Sequence, residues 1–400
     1  MVTNLSVKRE FSTIVNSMKP SAIESILKAI GDPDMISFGG GLPNPESFPV
    51  DDVKKIFDEL ITKSGRKMLQ YGSTEGLKTL SVALAKRMKQ QQGIECDPTD
   101  IVQTAGSQEA LYLLGKILAN PGDYVISEAP TYLGAITAFK ASGVRMVGVE
   151  MDKNGMKMDS LRQTLKKYPN PKFMYVLPNF QNPTGISMNL ERRKELLEIA
   201  SENGILVIED DPYGSLRYSG SQLPPLKALD KNNIVTFLGT FSKVLAPGFR
   251  LGYVITSPDL VDKLKMVKQA LDLASSTISE YLAEAYVSGG YIDRWIPNVI
   301  ELYRRKRDLM IKSLEEYLPN DVEFTRPDGG MFIWVTKKGA NTDKMLQEAI
   351  KKKVLYVVGS EFYPDGDNHE SMRLNYTYST DENIVEGIKR LGKVFEIAGK

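Results

Sequence analysis

Between residues 101 and 255 short apolar runs alternate with longer amphipathic ones. Ile101 to Thr104 predicts a strand. Ser107 to Leu118 predicts a helix, with Leu111, Leu114 and Leu118 on one face. Tyr124 to Ile126, Met146 to Val149, Phe173 to Leu177, Ile205 to Ile208, Ile234 to Leu238 and Tyr253 to Ile255 predict further strands. Helical patterns run over Leu190 to Asn203 and Pro258 to Leu273. Continuously apolar strands alternating with helices imply an α/β fold, a mainly parallel sheet covered on both faces. After about residue 290 the pattern changes. A long charged helix, Ile292 to Tyr317, precedes strands at Val322 to Phe324 and Met331 to Val335. A helix at Thr342 to Lys351, strands at Val354 to Val357 and Met372 to Tyr376, and a helix at Asp381 to Ile397 complete the chain. This predicts a large domain over residues 46–290 and a smaller α+β domain from 291–400. Residues 1–45 are too few to fold alone and are expected to pack on the smaller domain.

A chain of 400 residues exceeds one simple core, in keeping with two domains. The formal charge of +1 gives no field for nucleic acid or an anionic membrane, and neither is expected as partner. No apolar stretch approaches a membrane span, and Met1 to Glu10 lacks the apolar core of a signal peptide. A cytoplasmic protein is the expectation. Cys96 and His369 stand alone, so disulfides, zinc clusters and Cys/His catalysis are excluded within one chain and no metal is expected. Cys96, beside Asp97-Pro98, reads as a turn residue, and His369 as part of a surface loop. Proton transfer then falls to Lys, Asp, Glu or Tyr, or to a cofactor.

Open α/β sheets bind ligands beyond the carboxyl ends of their strands, and four unusual groups fall there. Ala105-Gly106-Ser107-Gln108 joins a strand to a helix whose first N–H groups suit a phosphate, though Ser107 is also an ordinary helix cap. Asn179 to Gly185 is a polar turn of a kind common in α/β proteins. Glu209-Asp210-Asp211 ends a buried strand; one of the three carboxylates can simply cap or turn the chain, but a charge there is costly unless paired and usually has a partner, which a protonated heterocyclic nitrogen would supply. Thr240-Phe241-Ser242-Lys243 precedes Pro247 to Gly252, a setting in which a desolvated lysine near other cations becomes nucleophilic. Alone, a Ser-Lys pair is an ordinary surface feature.

Together these residues resemble the fold-type I pyridoxal 5′-phosphate (PLP) enzymes of the aspartate aminotransferase superfamily. Asn182 lies 28 residues before Asp210 and 31 before Tyr213, and Lys243 lies 7 before Arg250. All three spacings match the family pattern. Ile36 to Pro45, Gln70-Tyr71-Gly72, Gly106-Ser107-Gln108, Glu209 to Tyr213 and Met372 to Tyr376 resemble the 2-aminoadipate/kynurenine aminotransferase branch.

The resemblance implies a large domain with a seven-stranded, mainly parallel sheet between helices. It also implies roles. Lys243 would form the Schiff base and shuttle the proton. Asp210 would keep the pyridine nitrogen protonated. Asn182 and Tyr213 would bond the phenolic oxygen. Ser107, Gln108, Thr240, Ser242 and Arg250 would hold the phosphate, and Tyr71 would reach the phosphate of a neighbouring subunit in a homodimer. Tyr132 would stack on the ring, Arg373 would clamp the substrate α-carboxylate, and Gly39 and Gly40 would let backbone approach it. A second arginine for a distal carboxylate is not identified. The segment Ile14 to Ile30 is expected to shape the side-chain pocket, which leaves 2-aminoadipate, aromatic, aliphatic and aspartate-type donors open.

The implied activity is ping-pong amino transfer between an L-amino acid and a 2-oxo acid, with 2-oxoglutarate the expected acceptor. The same anchors would serve a PLP-dependent β-lyase or decarboxylase. A regulator built on such a domain would need a basic DNA-binding module, and about 35 residues precede Ile36.

Overall fold

The computed structural model describes residues 10–18 and 34–398. The strands predicted between residues 101 and 255 form one sheet. Its order from one edge is Ile101–Thr104, Gly252–Ile255, Val235–Thr240, Leu206–Asp210, Phe173–Val176, Tyr124–Ala129, Arg145–Asp152 and Gly155–Met156. The five strands from Val235–Thr240 to Arg145–Asp152 run parallel, and Gly252–Ile255 is antiparallel to both its neighbours. The sheet has eight strands rather than the expected seven. The eighth is a two-residue return after Asp152, whose carboxylate accepts from the Asn154 N–H at 2.8 Å in the tight turn to Gly155, φ +100°.

Period-two side-chain alternation sorts the strand residues between two cores. Phe173, Tyr175 and Leu177 pack with Leu111, Leu114, Phe139 and Leu264 on one face. Met174 and Val176 pack with Leu161, Leu196 and Ile199 on the other. Helices Ser107–Leu118, Leu133–Ala141 and Pro258–Leu271 supply the first face, and Met158–Lys167 and Leu190–Glu202 the second. Helices Val50–Met68, Lys78–Gln92 and Thr277–Ser288 build a third cluster around Phe237 and Ile255.

A smaller antiparallel sheet has the order Glu323–Phe324, Phe332–Thr336, Ser371–Asn375, Val357–Val358. Helices Tyr291–Tyr317, Thr342–Lys351 and Asp381–Ala398 pack against it. The strand expected at Val354 to Val357 divides. Val354–Leu355 pairs in parallel with Ile36–Ser37, whereas Val357–Val358 pairs with Arg373 and Met372. Between them Tyr356 is buried and its hydroxyl donates to the Thr342 carbonyl at 2.7 Å. The two sheets are stitched together near the turn 328–330. The Gly330 N–H donates to the Leu216 carbonyl at 3.0 Å, and the Tyr218 N–H to the Asp328 carbonyl at 2.7 Å. Of the segment expected to shape the pocket, the short helix Thr13–Ser17 lies beside Leu133–Ala141, and most of the rest lies outside the described residues.

Candidate active site

The sheet order reverses beside Tyr124–Ala129, whose neighbours on its two sides are reached by opposite crossovers. The loops leaving Tyr124–Ala129, Phe173–Val176, Leu206–Asp210 and Val235–Thr240 carry Tyr132, Asn182, Tyr213 and Lys243. The parallel register holds these carboxyl ends on one edge of the sheet.

Three carboxylates end the strand Leu206–Asp210 region, and the structure separates their tasks. Glu209 accepts from the Leu226 and Lys227 N–H groups, both at 2.8 Å, and so caps the helix Leu226–Leu229. Asp211 accepts from the Gly214 N–H at 2.8 Å and from the Asn179 amide at 3.2 Å, which fixes the turn carrying Tyr213. Asp210 remains. Its Oδ2 accepts from the Tyr175 hydroxyl at 2.8 Å, and its Oδ1 is buried with no partner. Burial pushes this carboxyl up to about 7 against the opposing Tyr175 bond, with the charge of Asp211 adding to the rise.

Lys243 is half-buried, and its ammonium donates to the Gly41 carbonyl at 3.0 Å. Burial foremost, with the positive charges of Arg373 and Arg250 adding to it, lowers the amine to about 8. Arg373, 2% exposed, donates from Nη1 to Asn182 Oδ1 at 2.9 Å and from Nη2 to the Gly39 carbonyl at 2.7 Å. Its Nε is buried without an acceptor. Tyr213 is buried and its hydroxyl pKa is raised chiefly by that burial, while a bond from Asn182 opposes the shift. Tyr132, its hydroxyl also raised by burial, lies within electrostatic reach of Asp210, Arg373 and Arg250.

The turn at Gly106 (φ +81°) opens the helix Ser107–Leu118, whose first turn has no side-chain cap. The Arg250 guanidinium lies over it, donating to the Ala105 carbonyl at 3.3 Å; a Cβ at Gly106 would come within 2.8 Å of its Nη2. Thr240 and Ser242 are bonded to each other at 3.1 Å. The Gln108 amide donates to the Gly134 carbonyl at 2.8 Å, and its Oε1 accepts from the Tyr132 hydroxyl at 3.4 Å. Gly39 is buried and Gly40 half-buried in the strip that receives Arg373 and Lys243. Tyr71 is 83% exposed, on a loop held by the Thr277 hydroxyl donating to the Gln70 carbonyl at 3.0 Å.

A family model for aminotransferase class I and II matches residues 33–391. The aromatic-amino-acid aminotransferase 1 of Thermococcus litoralis is 45% identical over 397 residues, 98% of this chain and 95% of that protein. The 2-aminoadipate transaminase of Thermus thermophilus is 35% identical over 98% of each. Among solved structures, the kynurenine aminotransferase of Pyrococcus horikoshii matches with a TM-score of 0.94 at 44% identity, covering 98% of both chains. The chain belongs to the class I and II aminotransferases. It is a PLP-dependent aminotransferase of the fold-type I group, near the aminoadipate/kynurenine branch.

The aminotransferase's own residues fit that cofactor. An acceptor without a donor at Asp210 Oδ1 suits a protonated ring nitrogen. An uncapped helix start beneath a guanidinium, with glycine where a side chain would intrude, suits a phosphate.

Several supporting residues escape sequence reasoning. Tyr175 sits in a uniformly apolar run and reads as core, although a buried tyrosine hydroxyl does need a partner. Gln181 donates to the Pro130 carbonyl at 2.7 Å and accepts from the Thr184 N–H at 3.0 Å, tying the Tyr132 turn to the Asn182 loop. Arg193, fully buried, donates to the Pro178 carbonyl at 2.9 Å and to Asn179 Oδ1 at 2.6 Å. Its spacing in a charged helix looks like a solvated face.

Proposed function

We propose that the enzyme transfers an amino group from an aromatic or long acidic L-amino acid to a 2-oxo acid, 2-oxoglutarate foremost, in a ping-pong cycle. Bound PLP supplies an electron sink for the bond broken at the substrate Cα. The carrying observation is the Asp210 oxygen left without a donor in a buried pocket that also gathers Tyr132, Tyr213, Arg373 and the lowered amine of Lys243.

In this reading Asp210 holds a proton on the ring nitrogen, and Asn182 and Tyr213 bond the ring's phenolic oxygen. Ser107, Gln108, Thr240, Ser242 and Arg250 bind the phosphate, with Tyr132 against the ring. Lys243 tethers the cofactor and then moves the proton at the substrate Cα; its lowered pKa leaves more of the amine neutral at neutral pH, the form that acts as nucleophile and base. Arg373 binds the α-carboxylate while the backbone at Gly39 and Gly40 leaves room for it. Exposed Tyr71 completes the phosphate site of a second copy, so the working unit is a homodimer in the cytoplasm. Residues 46–290 form the cofactor-binding domain, and 1–45 with 291–400 the smaller one. Among the described residues no helix is long and apolar enough to cross a membrane.

The names of the relatives, aromatic-amino-acid aminotransferase and 2-aminoadipate transaminase, support the donor class. A half-reaction screen tests it. Aromatic amino acids or 2-aminoadipate should bleach the cofactor band fastest, and 2-oxoglutarate should restore it. Bleaching that no 2-oxo acid reverses, with release of ammonia or carbon dioxide, would refute transfer.

A further inference from the structure

Among the described residues Arg373 is a buried cation held by neutral acceptors alone, the Asn182 amide oxygen and the Gly39 carbonyl. Burial lowers its pKa to about 10, and among the described residues its hydrogen-bond acceptors include no carboxylate. A guanidinium in this state normally turns toward an anion or water. Two aromatic rings confine it instead. The Phe332 ring centroid lies 4.2 Å from the guanidinium carbon and that of Phe362 lies 5.0 Å away.

The sheet register explains the arrangement. Trp334 stands opposite Arg373 and Phe332 opposite Asn375, so all four side chains share one face of the small sheet. Phe362 packs edge-on to Trp334, centroids 5.6 Å apart. Phe332 reaches two further functional groups. It meets the Tyr213 ring edge-to-face at 5.9 Å, and its tip lies 3.8 Å from where a Cβ on Gly41 would stand. The Gly41 carbonyl is the acceptor for Lys243.

We propose that Phe332, backed by Phe362, is a positioning residue for carboxylate recognition: its ring holds the Arg373 guanidinium desolvated and aimed at the substrate's α-carboxylate. The proposal rests on Arg373 being that clamp. A cation against an aromatic face keeps its charge while shedding water, so it meets an incoming carboxylate already stripped of solvent. The ring acts on the part common to every amino acid, so its loss must weaken all substrates alike. A ring that served the side-chain pocket would discriminate among them.

The experiment compares Phe332→Leu, Phe362→Leu and Arg373→Gln holoenzymes with L-phenylalanine, L-leucine and L-2-aminoadipate as donors. Phe332→Leu should raise KM by about tenfold for all three, the size a desolvated cation–ring contact supports, with kcat and cofactor affinity little changed. Phe362→Leu should raise it in the same direction by a smaller factor, and this variant carries the test should Phe332→Leu fail to fold. Unchanged KM in the ring variants beside a large rise in Arg373→Gln overturns the positioning role alone. KM rises that differ several-fold among the three donors overturn it in favour of a side-chain pocket role. Normal KM in Arg373→Gln overturns the clamp reading, and this proposal with it.

Discussion

At the end of the strand Leu206–Asp210 a buried carboxylate keeps one oxygen without a donor; on the strand Ser371–Asn375 a buried guanidinium keeps one nitrogen without an acceptor. The two are built differently. Asp210 lies on a parallel strand end, its second oxygen fixed by a neutral hydroxyl, its neighbours Glu209 and Asp211 engaged with backbone N–H groups. Arg373 lies inside an antiparallel sheet, flanked by rings. A permanent cofactor partner calls for fixed hydrogen bonds, whereas a substrate that arrives and leaves calls for a charge kept ready and dry. Changes at the large sheet should therefore cost cofactor retention and kcat, and changes at the small sheet should cost KM.

Asp210→Ala bears on that contrast most strongly. It removes the proposed partner of the ring nitrogen, and we expect kcat to fall on the order of 10²–10³-fold with weaker cofactor binding and KM close to wild type. Steady-state kinetics with equilibrium dialysis would check this, and a change confined to KM would erase the contrast. Tyr175→Phe is the milder version. The tyrosine hydroxyl favours the ionised form of Asp210, so its removal raises that carboxyl further above its ordinary range and should weaken PLP binding by about tenfold. Cofactor dissociation constants measured by fluorescence quenching would show it, and equal affinity would mean that Tyr175 is core alone.

The smallest effect joins the two regions. Arg373 is one of the charges that lower the Lys243 amine to about 8. The neutral amine attacks, so capture of PLP by cofactor-free enzyme should quicken as pH rises through about 8. Arg373→Gln removes a positive neighbour, moves that midpoint upward and should slow capture near neutral pH by about two- to threefold. Stopped-flow absorbance across pH reads both, and a midpoint moving downward would reverse the assigned sign.

What the chain discloses in advance follows the same division. The helix Ser107–Leu118 was legible to the residue because its apolar face, glycine start and strand partner are all local. Asn182, Asp210, Tyr213 and Lys243 are singled out by the spacings they share with the family they resemble, whereas the residues alone mark only the groups that follow apolar strands. Without that resemblance the chain does not say which of three adjacent carboxylates stays free, since the answer depends on N–H groups at 214, 226 and 227. Phe332 and Phe362 were invisible as anything but core: their nearness to Arg373 comes from pairing across forty residues and from a turn after Val357–Val358. The splitting of the strand at Val354 has the same origin, because its partner Ile36–Ser37 lies over three hundred residues away.

The claim that underlies all of this is that Lys243 is the residue joined to the cofactor. Borohydride reduction of the holoenzyme followed by proteolysis and mass spectrometry reads it directly. The cofactor should be found on the peptide carrying Lys243 and be absent from that site in Lys243→Ala; a cofactor fixed to another lysine, or an unmodified Lys243 in active enzyme, would contradict it.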